Sequence, residues 1–272
     1  MEPRLFGLPA SDADVVAVIR RGPADWSAVG RWDVAGGSYE QGAWLRGRLY
    51  PQRCDLSPDG RWLCFFALNP SARWELGWTY VGVSRLPWLY ALAAWRTDGT
   101  WTRGAHFAAD AADPPVAPPD LGSLPSVALA VTAAASYAVE RRRGWTEAPG
   151  STPRAADDMW DERRAPTLRM CKERPGGGAR LEVTGVYAAF RSGADTGDVA
   201  YRVVEREGAA IELRGVQWAE WSRDGRLLVA TRAGDLETRT HDSWATAAET
   251  VASLAALQPA PVEAPPTARS WG

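Results

Sequence analysis

The sequence predicts an all-β chain, and two observations carry the prediction. Fifteen tryptophans in 272 residues are more indoles than helices need, whereas aromatic side chains fit the pleated, half-buried surface of a sheet. A hairpin motif also occurs twice, as CDLSPDGRWLCFF at 54–66 and EWSRDGRLLVA at 220–230. In both, Ser-x-Asp-Gly-Arg stands between apolar runs, so Asp-Gly supplies the turn and the flanking alternation supplies two antiparallel strands.

A second series joins these. VIRRGPADWSAVG at 18–30, ALAAWRTDGTWTRG at 91–104, AVERRRGWTEAPG at 138–150 and VVEREGAAIELRG at 203–215 each read as strand, polar turn and second strand ending in Gly. As outer hairpins they interleave with inner hairpins at 54–66, about 168–186 and 220–230, and with a degenerate one around VALAVTA at 127–133. Such a four-stranded unit repeated radially removes the exposed sheet edge, which is the β-propeller solution. The chain starts on an outer hairpin and ends on an inner one, so N- and C-terminal strands are expected to pair and close a ring of four blades. DLETRT at 235–240 and GAWLRGRLY at 42–50 fit four blades poorly and keep five open.

The two inner hairpins resemble those of TolB-like or WD-repeat β-propeller blades. Ser57, Pro58, Asp59, Gly60 and Arg61 match that pattern, and the second copy departs from it at Arg223, where proline is usual. The resemblance implies a fold and no activity. The wider pattern, RRGP at 20–23, GRWD at 30–33 and GAWLRGRLYP at 42–51, resembles bacterial proteins and adds no chemistry.

Beyond the β domain, 1–242, SWATAAETVASLAAL opens a C-terminal helix over 243–258, with Ser243 as N-cap and Val251, Leu254 and Ala255 at helical spacing. The remainder, 259–272, is proline-rich and poor in core formers, and is expected to be extended and flexible, with Trp271 its one candidate anchor. Within the first hairpin, a three-residue turn with Gly60 in the left-handed region pairs Ser57 with Arg61 and places Cys54 opposite Cys64. Both are expected to be free thiols.

Composition narrows the function classes. The 31 Lys+Arg against 33 Asp+Glu leave a formal charge of −2, with no bulk electrostatic footprint for nucleic acid. No run approaches the roughly 18 apolar residues of a membrane span, and the N-terminal stretch has no leader pattern, so a cytoplasmic location is expected. Three cysteines form neither a disulfide framework nor a CxxC metal site. His106 and His241 lie in no nucleophile elbow or ligand pair, and RPGGG at 174–178 lacks the Lys-Ser/Thr of a phosphate loop. No catalytic residue, metal or cofactor is therefore assigned. Asp59 and Asp224 are turn formers, and Arg141–Arg143 a solvated strand face.

The tight turns 57–60, 96–99, 141–144, 175–178 and 222–225 fall within hairpins, on one face, and the longer connections 31–49, 69–78, 108–126, 151–166 and 191–198 on the other. Recognition concentrates in such loops. Arg31, Trp32, Arg73, Trp74, Trp78, Trp160 and Arg191 are accordingly the candidate partner-binding residues, Trp and Arg being frequent interface anchors. The expected function is a non-enzymatic module that engages a protein partner. A glycan- or small-ligand-binding propeller and a hydrolase with acidic residues at the central channel are the alternatives, and the oligomeric state stays open.

Overall fold

The computed structural model describes residues 2–71, 74–97, 99–101, 104–107, 129–130, 138–149, 167–186, 199–241, 244–245 and 249–271. Strands dominate them, in antiparallel sheets, and the only α-helix among them is Ala138–Arg142. The chain forms two compact units, Met1–Val139 with Ala256–Gly272, and Glu140–Ala255.

The first unit opens with a four-stranded meander of β1 (Arg4–Pro9), β2 (Val15–Arg21), β3 (Trp26–Asp33) and β4 (Ser38–Arg46). Its last turn is local chemistry: Asp33 Oδ1 accepts the Gly36 N–H at 2.9 Å, and Gly37 takes φ +59°. The span 31–49 is thus strand, tight turn and strand, not a long connection. Next come β5 (Arg48–Leu49), β6 (Asp55–Leu56), β7 (Trp62–Leu68), β8 (Thr79–Arg85) and β9 (Ala93–Arg96). Both β5 and β6 pair with β7, forming one edge strand broken by the 3-10 turn Pro51–Arg53, so this sheet also has four strands in effect. A short ladder joins β10 (His106–Phe107) to β11 (Leu129–Ala130).

Strand β7 shows why its sequence is almost wholly apolar. Its alternate residues Leu63, Phe65 and Ala67 pack with Leu8, Val15, Ile19 and Val29 of the first sheet. Trp62, Cys64 and Phe66 face the other way, against Tyr50, Val81, Val83 and Phe107. A strand buried on both faces loses the polar alternation of a half-exposed one.

In the second unit, β12 (Thr146–Glu147), β13 (Thr167–Glu173), β14 (Ala179–Val186), β15 (Val199–Glu205) and β16 (Ala210–Glu212) form one sheet. The strands β17 (Val216–Trp221), β18 (Leu227–Thr231), β19 (Asp235–Arg239) and β20 (Glu249–Ser253) form a second meander. RPGGG is the β13–β14 hairpin turn, closed by Arg174 N–H to Ala179 O at 2.9 Å, with three successive glycines at positive φ.

Several expectations are corrected. Among the described residues the N-terminal strands pair only with one another, and 216–240 pairs within its own meander, because each strand finds its partner in the next hairpin along the chain. Closure by pairing of N- and C-terminal strands is therefore wrong. The helix expected over 243–258 is replaced at Glu249–Ser253 by β20, which pairs β19 across a bulge. From 249 to 258 only Leu254 is buried, too little for a helix to dock by, whereas β19 offered an edge to pair. Residues 138–142 are helical where a strand was expected, so Arg141 and Arg142 end a helix rather than face a sheet.

The stretch 259–271 is docked, not free. Ala264 and Ala268 are buried, and the Trp271 ring lies 5.2 Å from that of Trp62. Cys54, Cys64 and Cys171 are free thiols, as expected of the first two, but Cys64 stands opposite Asp55. Ser57 pairs with Trp62, one residue beyond the expected register, because the Ser57 hydroxyl accepts the N–H groups of both Arg61 and Trp62 and opens the turn. The second copy takes the expected three-residue turn, Ser222 N–H donating to Arg226 O at 2.9 Å.

Candidate functional site

The two copies of the motif carry the same internal wiring. In each, the serine hydroxyl donates to the aspartate two residues on, the glycine N–H donates to the serine carbonyl, and the glycine sits at positive φ. Asp59 and Asp224 are thereby turn formers. Burial raises the Asp224 carboxyl, but hydrogen bonds from Ser222 and Arg226 and the Arg226 charge together outweigh it and hold the group below its ordinary range.

Each copy also buries an acid two residues before the serine, which sequence reasoning passed over. Asp55 accepts the Leu56 N–H at 2.9 Å and the Phe107 N–H at 2.8 Å, tying β6 to β10. Glu220 accepts the Trp221 N–H at 2.9 Å, the Trp145 indole N–H at 2.8 Å and the Lys172 ammonium at 3.0 Å. The available signal was an acid inside an otherwise apolar strand at matching positions of the two motifs. Their carboxylates are engaged by structural donors, so they staple neighbouring segments.

The exposed candidate surface lies at the end of the second sheet. Asn69 N–H donates to Trp78 O at 2.8 Å and closes the β7–β8 connection, leaving the Trp78 side of the loop at the strand ends. Strand β9 ends at the same place, through Thr97 N–H to Thr79 O at 3.0 Å. Together they line an open groove of about 580 Å³ formed by Leu68, Trp78, Arg96, Thr97 and Thr100, with glycines between. Trp78 is 71 % exposed, the largest apolar group so displayed among the described residues. Arg96 lies across Gly77, where a Cβ would stand 3.2 Å from its Nε, and Gly77 itself takes φ +65°. The Arg96 guanidinium has no ion pair among the described residues, and the Thr97 hydroxyl is buried without a hydrogen-bond partner.

The other sequence candidates fare differently. Trp32 lies in β3 at 0 % exposure and is core, so it is withdrawn from any binding surface. Arg31 is a half-buried residue of the same strand, paired in register with Ala17 and Glu40. Trp74 begins the short 3-10 turn Trp74–Leu76. Arg73, Trp160, Arg191 and the connections 108–126, 151–166 and 191–198 lie outside the described residues. Arg96, Thr97 and Thr100 were missed because 96–99 reads as a tight turn on the opposite face. Instead β9 ends at Arg96 and delivers them beside Trp78.

His106 is buried in β10, and His241 is exposed and stacks on Trp244 with ring centroids 5.8 Å apart. No group of three or more His, Cys, Asp or Glu able to hold a metal occurs among the described residues, and no helix among them is long and apolar enough to cross a membrane. The class of protein these features define is an antiparallel β protein with a Trp–Arg surface groove. Comparison with family models, with curated proteins and with solved structures finds no match.

Proposed function

We propose that the chain is a non-catalytic binding module that grips a protein partner through the Trp78 groove. One observation carries the reading: a 71 % exposed indole stands beside the Arg96 guanidinium, which has no ion pair among the described residues. Exposing an indole forgoes its burial energy, roughly 1.5–3 kcal/mol for a large apolar side chain, and partner association recovers it. The cation selects an acidic partner segment, and the connection bearing Trp78 is the place where Trp and Arg were expected to act. In this reading the successive meanders are blades of a small propeller of TolB-like or WD-repeat type. The twice-used Ser-x-Asp-Gly-Arg turn and the sheet buried on both faces support it.

A glycan or small polar ligand is the second reading, favoured by the exposed Trp78 indole, whose face can stack on a sugar ring. The test uses the full chain as bait in cell extract, with Trp78→Ala and Arg96→Glu beside it and Val262→Ala, another exposed apolar residue, as control. A protein captured by wild type and control but lost with both groove variants, at unchanged melting temperature, supports the proposal. Capture indifferent to both variants refutes it. Saturable binding on a glycan array, abolished by Trp78→Ala, would move the assignment to the second reading.

A further inference from the structure

Segment 257–271 is held on the first unit by peptide-like contacts rather than by strand pairing. Arg20 donates to the Leu257 carbonyl at 3.1 Å, and Arg85 to the Thr267 carbonyl at 2.7 Å. Pro265 has φ −65° and ψ 159°, the polyproline II region, and its carbonyl accepts the Ala268 N–H at 2.8 Å, so the carbonyl that Arg85 reads is that of Thr267 in the turn that follows. The 3-10 turn Pro266–Ala268 then redirects the chain, and Trp271 seats against Trp62, over which the Arg61 and Arg85 guanidiniums both lie at 5.6 Å. Arg269 stacks 5.8 Å over the ring of Tyr90.

Aromatic rings that seat a proline-rich segment, with arginines bonded to carbonyls on either side of its prolines, are the kind of surface that recognises proline-rich peptides. We infer that the surface formed by Trp62, Arg85 and Tyr90 is a binding site for proline-rich peptides that carry an indole, and that segment 257–271 is its resident ligand in cis. The committed occupant is this segment, since it is the one seen in place and its Thr267 carbonyl, Arg269 and Trp271 each have a partner there. Tethering presents it at an effective concentration on the order of millimolar, so a free peptide of the same sequence competes only when the tether is weakened. The site is separate from the Trp78 groove and does not depend on that reading.

The test is fluorescence anisotropy with a labelled synthetic peptide of sequence 257–272, added to the full chain. The wild-type chain is expected to bind it at least tenfold more weakly than the Trp271→Ala chain, whose indole seat is vacant. Arg269→Ala, at an exposed position, is the second variant and is expected to shift binding the same way should Trp271→Ala fail to fold. Adding Arg85→Ala to either variant, or replacing the peptide's tryptophan by alanine, should weaken binding about tenfold. Absence of saturable binding to a folded variant overturns the inference, as does equal binding to variant and wild type.

Discussion

Glu220→Ala is expected to destabilise the second unit by about 3–5 kcal/mol, the cost of deleting one partner of a buried ion pair. Glu220 is 3 % exposed and receives the Trp145 indole N–H, the Trp221 backbone N–H and the Lys172 ammonium. Truncation strands all three. Each of the two neutral donors, left without an acceptor, costs roughly 1–3 kcal/mol. The Lys172 side chain is 17 % exposed and can turn partly toward water, so it adds less than a fully buried ammonium would. Glu220→Gln keeps an acceptor for the indole but no charge for the lysine and should cost less, about 1–3 kcal/mol. Pairing it with Lys172→Met should recover part of that loss, because both charges leave together. The assay is urea unfolding followed by near-ultraviolet circular dichroism and tryptophan fluorescence, fitted separately for two compact units. A cost for Glu220→Ala below about 1 kcal/mol, the range of a surface position, would refute the staple.

In the first unit, Gly82→Ala puts a Cβ 2.5 Å from Cζ of Phe65, its cross-strand partner in the core, and is expected to cost roughly 1–3 kcal/mol or more in thermal unfolding, with partial relief from Phe65→Leu. Thiol titration should find Cys171 reacting first and Cys54 and Cys64 only on unfolding, since both are buried and burial pushes the Cys64 thiol well up. For Glu182, burial raises the carboxyl pKa, but hydrogen bonds from Arg202 and Arg180 and their charges outweigh it and the net shift is downward from 4.5. The stability this contributes is present above the unfolded value near 4.5 and is lost as pH falls through the lower folded one, so Glu182→Gln should flatten the acid limb of stability against pH below about 5. An acid limb identical to wild type would refute that assignment.

How much was legible in the sequence depended on whether the deciding partner was a near neighbour. The positions of both Asp-Gly turns, the glycine turn after Arg174 and the apolar run 62–68 were readable, because each is settled within a few residues by a side-chain acceptor, a positive φ or an unbroken apolar stretch, though the register of the first turn was not. The groove was half readable. Trp78 stood out as an aromatic in a loop, yet Arg96 and Thr97 were assigned to the opposite face, because the length of β9 is set by its pairing with β8.

By itself, then, the sequence determined the all-β class, the strand-and-turn rhythm and the hairpin turns, all of which follow from local sterics and hydrogen bonding. Only the tertiary structure decided which indoles are core and which are surface. Trp32 and Trp78 look alike in sequence, both beside charged or polar neighbours, yet one is fully buried and the other is mostly exposed. Tertiary structure likewise made 249–253 a strand, because β19 had an edge to pair, and docked 257–271, because Trp62, Arg85 and Tyr90 come together only after folding. The physical reason is common to all of these. Burial energy and edge hydrogen bonds belong to the pair of surfaces that meet, and such a pair is brought together by the fold and not by chain neighbours.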